Sequence, residues 1–320
     1  MESISQKKQK VNTPSDILQK WSEKKRNSVR VGRKMIDAGF IERGKRMEFC
    51  GHFLNMKKCP DCGHSEISSA SLCRDKLCPT CQWRLSLRRF SEMCCTVSYI
   101  KDLDEYNAGF LTLTVRNCSP CDLRYTLQTM TKDWNRLMAQ RWMKKIMAGC
   151  ARSVEITYNP FTKTFHPHFH IITLTNPGYD EGFLRAKFNQ GWQKASRLDY
   201  CPVTDFRFIK ADEDGSGNID DDRLTGAILE TFKYATKADD LESMPLHIFR
   251  QFVTAIQGVR FTSFAGIIKE ARKNLGYKDD EETDEEITRD KCKCGKDMTL
   301  HLLQWSFAKK EYIDISKRLA

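Results

Sequence analysis

The sequence predicts an α+β domain built on an antiparallel sheet, with flanking helices and a small cysteine-rich module. Three observations carry that prediction. Residues 154–158 and 166–170 alternate in a strand-like way on either side of the turn-forming Asn159-Pro160, the pattern of an antiparallel hairpin. Residues 123–146 instead repeat apolar side chains at helical spacing. Between positions 50 and 98 cysteines crowd together while large apolar residues thin out.

A chain of 320 residues suffices for one good core with smaller appendages. Its net charge of +11 is uneven, with 13 Lys+Arg against 6 Asp+Glu in residues 1–50. A basic balance of this kind suits a polyanionic partner, most often nucleic acid. Neither an apolar run of membrane-spanning length nor an apolar signal core at the N-terminus is present, so the expectation is a cytoplasmic protein without a membrane partner. Fourteen cysteines in such a compartment are metal ligands and buried thiols rather than disulfides.

Four regions follow. Residues 1–49 form a basic arm, helical in part, with Ile17, Leu18, Trp21 and Met35 as anchors. Residues 50–98 are the cysteine-rich module, and residues 99–277 are the α+β domain. In that domain residues 110–115 read as a buried strand. Asp122 is placed to cap a helix carrying Leu123, Leu127, Met130, Trp134, Leu137, Met138 and Ile146. The hairpin comes next, then a helix over 181–197, a strand over 203–209 with Phe206 and Phe208 on one face, and a helix over 224–238. Residues 278–320 are an acidic linker, with eight acidic side chains in 278–290, and a tail bearing Cys292, Cys294 and Trp305. The run from Asp212 to Asp220 imitates a calcium loop, but its twelfth position is Arg223 where a bidentate Glu belongs, so it reads as an acidic surface loop.

In the cysteine module, Cys59-Pro60-Asp61-Cys62 and Cys78-Pro79-Thr80-Cys81 have the spacing of a closed tetrahedral zinc site. Four sulfurs leave no open position, so that zinc is structural. Cys73 is a further candidate, and Cys50, His52 and His64 lie near enough to substitute. Arg84, Arg88 and Arg89 follow on a helix and offer positive charge to a phosphate backbone. Cys118 with Cys121, and Cys292 with Cys294, read as ordinary thiols.

The hairpin holds the densest chemistry. In His166-Pro167-His168-Phe169-His170, alternation puts His168 and His170 on one face with Phe169 behind them. Two neutral imidazoles suit a divalent metal, and a hairpin centred between Phe161 and Thr162 sets Glu155 opposite His168 as the completing carboxylate. His166 is the rival third ligand. On the helix over 224–238, Glu230, Tyr234 and Lys237 sit at i, i+4 and i+7, sharing a stripe. A nearby cation or metal favours the phenolate of a tyrosine, and Glu230 one turn away suits a water or a proton.

A buried strand, then His-Pro-His-Phe-His, then Glu230-Thr-Phe-Lys-Tyr234-Ala-Thr-Lys237, in that order, resembles the three motifs of HUH endonucleases. The match is closest to the replication initiator (Rep) family of Gram-positive rolling-circle plasmids. The segment from Cys73 to Arg84 is also similar to the region upstream of that family's catalytic motifs, and the resemblance spans roughly residues 70–270. It implies an HUH-like fold, a central antiparallel sheet with the tyrosine helix packed across it. It further implies Mg²⁺ or Mn²⁺ on His168 and His170, and Tyr234 as the nucleophile that leaves a 5′-phosphotyrosyl link and a free 3′-OH primer. Glu230 would activate water for the terminating cleavage. The implied partners are plasmid origin DNA, double-stranded and extruded single-stranded, with host helicase and polymerase. A mobilisation relaxase or single-tyrosine transposase shares this chemistry, and a zinc-dependent DNA-binding regulator is the non-catalytic rival.

Overall fold

The computed structural model describes residues 14–209, 221–232, 236–278 and 290–316. The chain divides into two units, residues 84–281 and residues 1–83 joined by 282–320. The calcium-loop imitation at 212–220 lies outside the described residues, as does most of the acidic run.

The larger unit is built on five strands: β3 (Asn107–Thr114), β4 (Met147–Asn159), β5 (Thr164–Thr175), β6 (Thr204–Phe208) and β7 (Thr262–Ala265). Their order is β6-β3-β5-β4-β7, and every pairing is antiparallel. The β4–β5 hairpin dominates. Asn159 closes its turn by accepting the N–H groups of Phe161 and Thr162 at 3.0 and 3.2 Å, and Lys163 takes the left-handed conformation at φ 53°. This turn sets Glu155 opposite His168, the register anticipated from the alternation.

Because strand side chains alternate, that register assigns whole faces. Phe169, Ile171, Arg152 and Val154 point to one side, where Trp134 and Trp192 pack against Phe169. Those tryptophans come from α4 (Leu123–Met138) and α6 (Glu181–Ser196). The other face carries Glu155, His168 and His170 towards one end and Ala108, Ala151, Ile172 and Leu174 towards the other. The apolar end is covered by Met93 and Val97 of α3 (Pro79–Tyr99), by Leu224 and Ile228 of α7 (Asp221–Thr231) and by Ile268 of α10 (Gly266–Asn274). Burying each such side chain contributes roughly 1.5–3 kcal/mol, which holds α7 on the histidine face of the sheet.

Three helical expectations change in detail. The helix expected over 123–146 is two: after α4 the chain turns extended at Gln140 and restarts as α5 (Arg141–Ile146). Asp122 stands at the cap position of α4 but bonds no helix N–H, and instead accepts Ser119 Oγ at 2.7 Å. The helix expected over 224–238 ends at Thr231. Lys237 is extended and opens the next helix, α8 (Ala238–Ser243), which is followed by α9 (Leu246–Ala255). Thr231, Phe232 and Thr236 are β-branched or aromatic, weak helix formers, and both Thr231 and Phe232 are buried. Glu230 and Lys237 therefore do not share one helical stripe.

In the smaller unit the described part of the basic arm is helical: α1 (Pro14–Asp37) packs on α2 (Ile41–Phe49). Their backbones cross so closely that a Cβ on Gly44 would lie 2.5 Å from the Gly32 carbonyl oxygen. A four-stranded sheet follows, of order β2-β1-β8-β9, from β1 (Phe53–Lys58), β2 (Ser65–Ala70), β8 (Thr299–Ser306) and β9 (Glu311–Asp314). Residues 290–316, expected as a separate tail, thus complete the sheet begun by the cysteine module. Trp21, Leu54, Met56, Ile67 and Leu303 form its small core. Among the described residues no helix is long and apolar enough to cross a membrane.

Candidate active site

The β4–β5 register brings three ligand atoms together. Glu155 Oε2 lies 2.9 Å from His170 Nε2 and 3.3 Å from His168 Nε2, and the two Nε2 atoms are 3.0 Å apart. The outer ring nitrogens are engaged elsewhere. His168 Nδ1 faces the His166 carbonyl oxygen at 3.2 Å, and His170 Nδ1 faces Thr112 Oγ1 at 3.4 Å. A carbonyl can only accept, so His168 carries a proton on Nδ1, which leaves Nε2 to meet Glu155 or, with its own proton gone, a cation. Burial would raise the Glu155 carboxyl, but hydrogen bonds and charge from His168 and His170 outweigh it and hold it well below the usual carboxylate range. An anionic oxygen and two ring nitrogens aimed at one point fit a divalent cation. His166, the rival ligand, bonds Asn117 Oδ1 at 2.9 Å and stays outside this group. Burial and the neighbouring His168 lower its pKa.

Around this centre the structure adds residues that the sequence did not single out. Phe110 stacks on the His170 ring, centroids 5.4 Å apart, and the Arg207 guanidinium lies 5.6 Å from the Phe110 ring. These two, with Phe208, Arg223, Ala227 and Glu230, line a cleft of about 440 Å³. Arg207 was legible in principle, since Phe206 turned inward puts its neighbour on the opposite face. Asp240 of α8 had no such signal. Burial raises its carboxyl, opposed by the Tyr158 backbone and Lys237, while the charges of Asp239 and Glu155 add to the rise. Glu230 is half-buried at the rim of the cleft, and Lys237 is exposed. Tyr234 lies outside the described residues.

The thiols assemble differently from the expected set. Cys59, Cys62, Cys78 and Cys81 do not converge. Cys78 and Cys81 join Cys50 and Cys73, while Cys59 and Cys62 join Cys292 and Cys294. The reason is topological: the β1–β2 hairpin carries the first pair to its turn and leaves the second pair beyond β2, at the start of α3. His52 and His64 belong to neither group, and Cys118 and Cys121 join no group among the described residues. In the first cluster the Cys50 and Cys81 sulfurs are 3.4 Å apart, and the Cys73 and Arg74 N–H groups point at Cys50 and Cys81 Sγ. Burial opposes ionisation of Cys78, but bonds from Cys50, Cys73, Cys81 and Ser28 bring its thiol well below the ordinary range. Lys25 is buried beside this cluster and donates to the Cys50 carbonyl at 2.8 Å; burial lowers its ammonium to about 8, opposed by the charges of Cys50, Cys78 and Cys73.

The family model described as a replication protein matches residues 64–313. A Protein rep of Streptococcus pneumoniae serotype 2 (strain D39 / NCTC 7466) is 31% identical over 277 residues, 84% of this chain and 84% of its own. The chain belongs to the Rep family of rolling-circle replication initiators. Further relatives are a Protein rep of Lactiplantibacillus plantarum, 26% identical over 316 residues, 94% of this chain and 96% of that one, and one of Bacillus sp, 28% identical over 292 residues, 83% and 91%. No solved structure matches. Family membership makes initiation of plasmid replication the activity and origin DNA the partner, and Rep proteins of rolling-circle replication are in general endonucleases.

Proposed function

We propose that this chain is an HUH-type nicking and joining enzyme that cuts one strand of its plasmid origin. The observation carrying this reading is the convergence of Glu155, His168 and His170 on the sheet face over which α7 packs. Those three residues would hold Mg²⁺ or Mn²⁺. The cation, when bound, draws electron density from the scissile phosphate and neutralises its charge. Tyr234 follows α7 by three residues, and its hydroxyl oxygen attacks the phosphorus. The phenol proton passes to solvent, the P–O3′ bond breaks, and the departing 3′ oxygen takes a proton from solvent to become the primer end. The 5′ phosphate stays on Tyr234. Lys237, exposed two residues before Asp239, favours the phenolate by its charge. Glu230 accepts a proton from water in the second, terminating cleavage, and Arg207 and Arg223 bind the strand's phosphates in the cleft beside His170. Cys50, Cys73, Cys78 and Cys81, all but Cys73 buried, would hold a structural zinc in the smaller unit.

The test is incubation with single-stranded origin oligonucleotides and Mn²⁺, read as covalent adduct on a denaturing gel. Tyr234→Phe is expected to eliminate adduct and nicking together. Glu230→Ala is expected to nick and form the adduct, yet to lose roughly 10²–10⁴-fold in hydrolytic release, the size of a general-base contribution. Replicons started by that variant then run past the origin and accumulate as multimers. Adduct from Tyr234→Phe would overturn the nucleophile assignment. A first cut lost equally in Glu230→Ala would move Glu230 into nucleophile activation or cation binding.

A further inference from the structure

Two short turns far apart in the chain share one construction. Cys59-Pro60-Asp61-Cys62-Gly63 connects β1 to β2, and Cys292-Lys293-Cys294-Gly295 leads towards β8. In each, the glycine after the second cysteine has a positive φ, 71° at Gly63 and 86° at Gly295. Each glycine N–H returns to the carbonyl of the first cysteine, at 3.2 and 2.8 Å. No heavy atom lies near either missing Cβ, so the left-handed backbone and not crowding is what calls for glycine. Such turns aim two sulfurs and several N–H groups into one hollow.

The sheet then sets the two turns face to face. Lys58, just before the first turn, pairs with Thr299, just after the second, in the antiparallel β1–β8 ladder. Both turns therefore leave the same end of the same sheet. Across the gap Cys59 Sγ is 3.5 Å from Cys294 Sγ, and Cys62 Sγ is 3.4 Å from Cys292 Sγ. A disulfide would need about 2.0 Å, whereas sulfurs on a tetrahedral zinc stand about 3.8 Å apart. The cluster behind this sheet, Trp21, Leu54, Met56, Ile67 and Leu303, takes only Leu303 from the β8–β9 hairpin, so a metal between the two turns would fasten that hairpin to β1.

We propose that Cys59, Cys62, Cys292 and Cys294 bind a second zinc, closing a ribbon whose two cysteine turns come from opposite ends of the chain. The smaller unit is then complete only after residue 294 has been made. Its two zincs differ in accessibility, since the second set has Cys62 and Cys294 exposed beside buried Cys59 and Cys292, while in the first Cys50, Cys78 and Cys81 are buried and Cys73 is half-buried. This stands apart from the chemistry at Tyr234.

Native mass spectrometry of the full-length wild-type chain, purified under reducing conditions, is expected to show two zincs. Stepwise addition of a chelator should release one first. Iodoacetamide should then label Cys59, Cys62, Cys292 and Cys294 together, before Cys50, Cys73, Cys78 or Cys81. Cys292→Ser combined with Cys294→Ser should retain one zinc. One zinc in the wild type, two in the double variant, or labelling of the four cysteines while both zincs remain would each overturn the proposal. So would a zinc-free chain whose denatured mass is lighter by the hydrogens of disulfides at these positions. Because the stoichiometry and the labelling order are read on the wild type, a double variant that fails to fold leaves the test intact.

Discussion

His168 and His170 show how much a single residue's partner decides. Their rings are oriented from behind by the His166 carbonyl and Thr112, and their inner nitrogens meet Glu155. Replacing both with Ala removes two of three inward donors. Nicking is expected to fall to background while duplex binding persists, because phosphate contacts elsewhere supply that affinity. A nicking assay beside a gel-shift titration separates the two, and undiminished cleavage would refute the metal-site assignment. Glu155 and His166 differ in the same way. Glu155→Gln removes the carboxylate charge beside the histidines and should raise the Mn²⁺ concentration for half-maximal nicking by roughly tenfold or more, at least the loss that follows when a metal ligand's hydrogen-bond partner is removed. His166→Ala loses a bond to Asn117 and should shift it far less. The opposite order in a metal titration would show that His166 is the ligand.

Two elements carry the next level. The cleft between β6 and α7 places Arg207 and Arg223 beside the Phe110 ring that stacks on His170. Arg207→Ala with Arg223→Ala is expected to lower the slope of log affinity against log salt for single strands by about 1.4, at about 0.7 for each phosphate no longer neutralised. An unchanged slope in fluorescence anisotropy would remove the cleft from the DNA path. The start of α3 is the other case. It supplies Cys81 to the buried thiol cluster, and Thr80, whose hydroxyl bonds Ser28 of α1 at 2.8 Å. Cys78→Ser with Cys81→Ser should lose the zinc of that cluster and loosen the smaller unit to protease, since binding energy at a structural zinc is folding energy. Adduct formation at Tyr234 should survive. Full zinc content in that variant would place the metal elsewhere.

At the scale of the whole molecule, the chain returns to its first sheet after finishing the larger unit: β8 pairs with β1 across more than two hundred positions. The positive charge belongs to the same scale. With a net +11, origin binding is expected to depend steeply on salt, falling roughly 10³-fold between about 50 and about 200 mM if some six phosphates are neutralised. Omission of Mg²⁺ and Mn²⁺ should leave that binding in place while stopping the cut. Duplex affinity indifferent to salt would contradict a backbone-led mode of binding.

The amino-acid order by itself determined the α+β class, the β4–β5 hairpin and its register. Those follow from alternation and a short turn, both local properties of neighbouring residues. The meeting of Glu155 with His168 and His170 was legible for the same reason. Tertiary structure alone decided which cysteines share a site. Two C-x2-C pairs at suitable spacing suggested one cluster, but spacing says nothing about a hairpin that sends the pairs to different places, or about Cys292 and Cys294 arriving from far along the chain. It likewise decided that α7 stops at Thr231, where burial of Thr231 and Phe232 competes with a helical period that continues on paper. Long-range pairing is set by which surfaces are left to bury, and no local pattern records that.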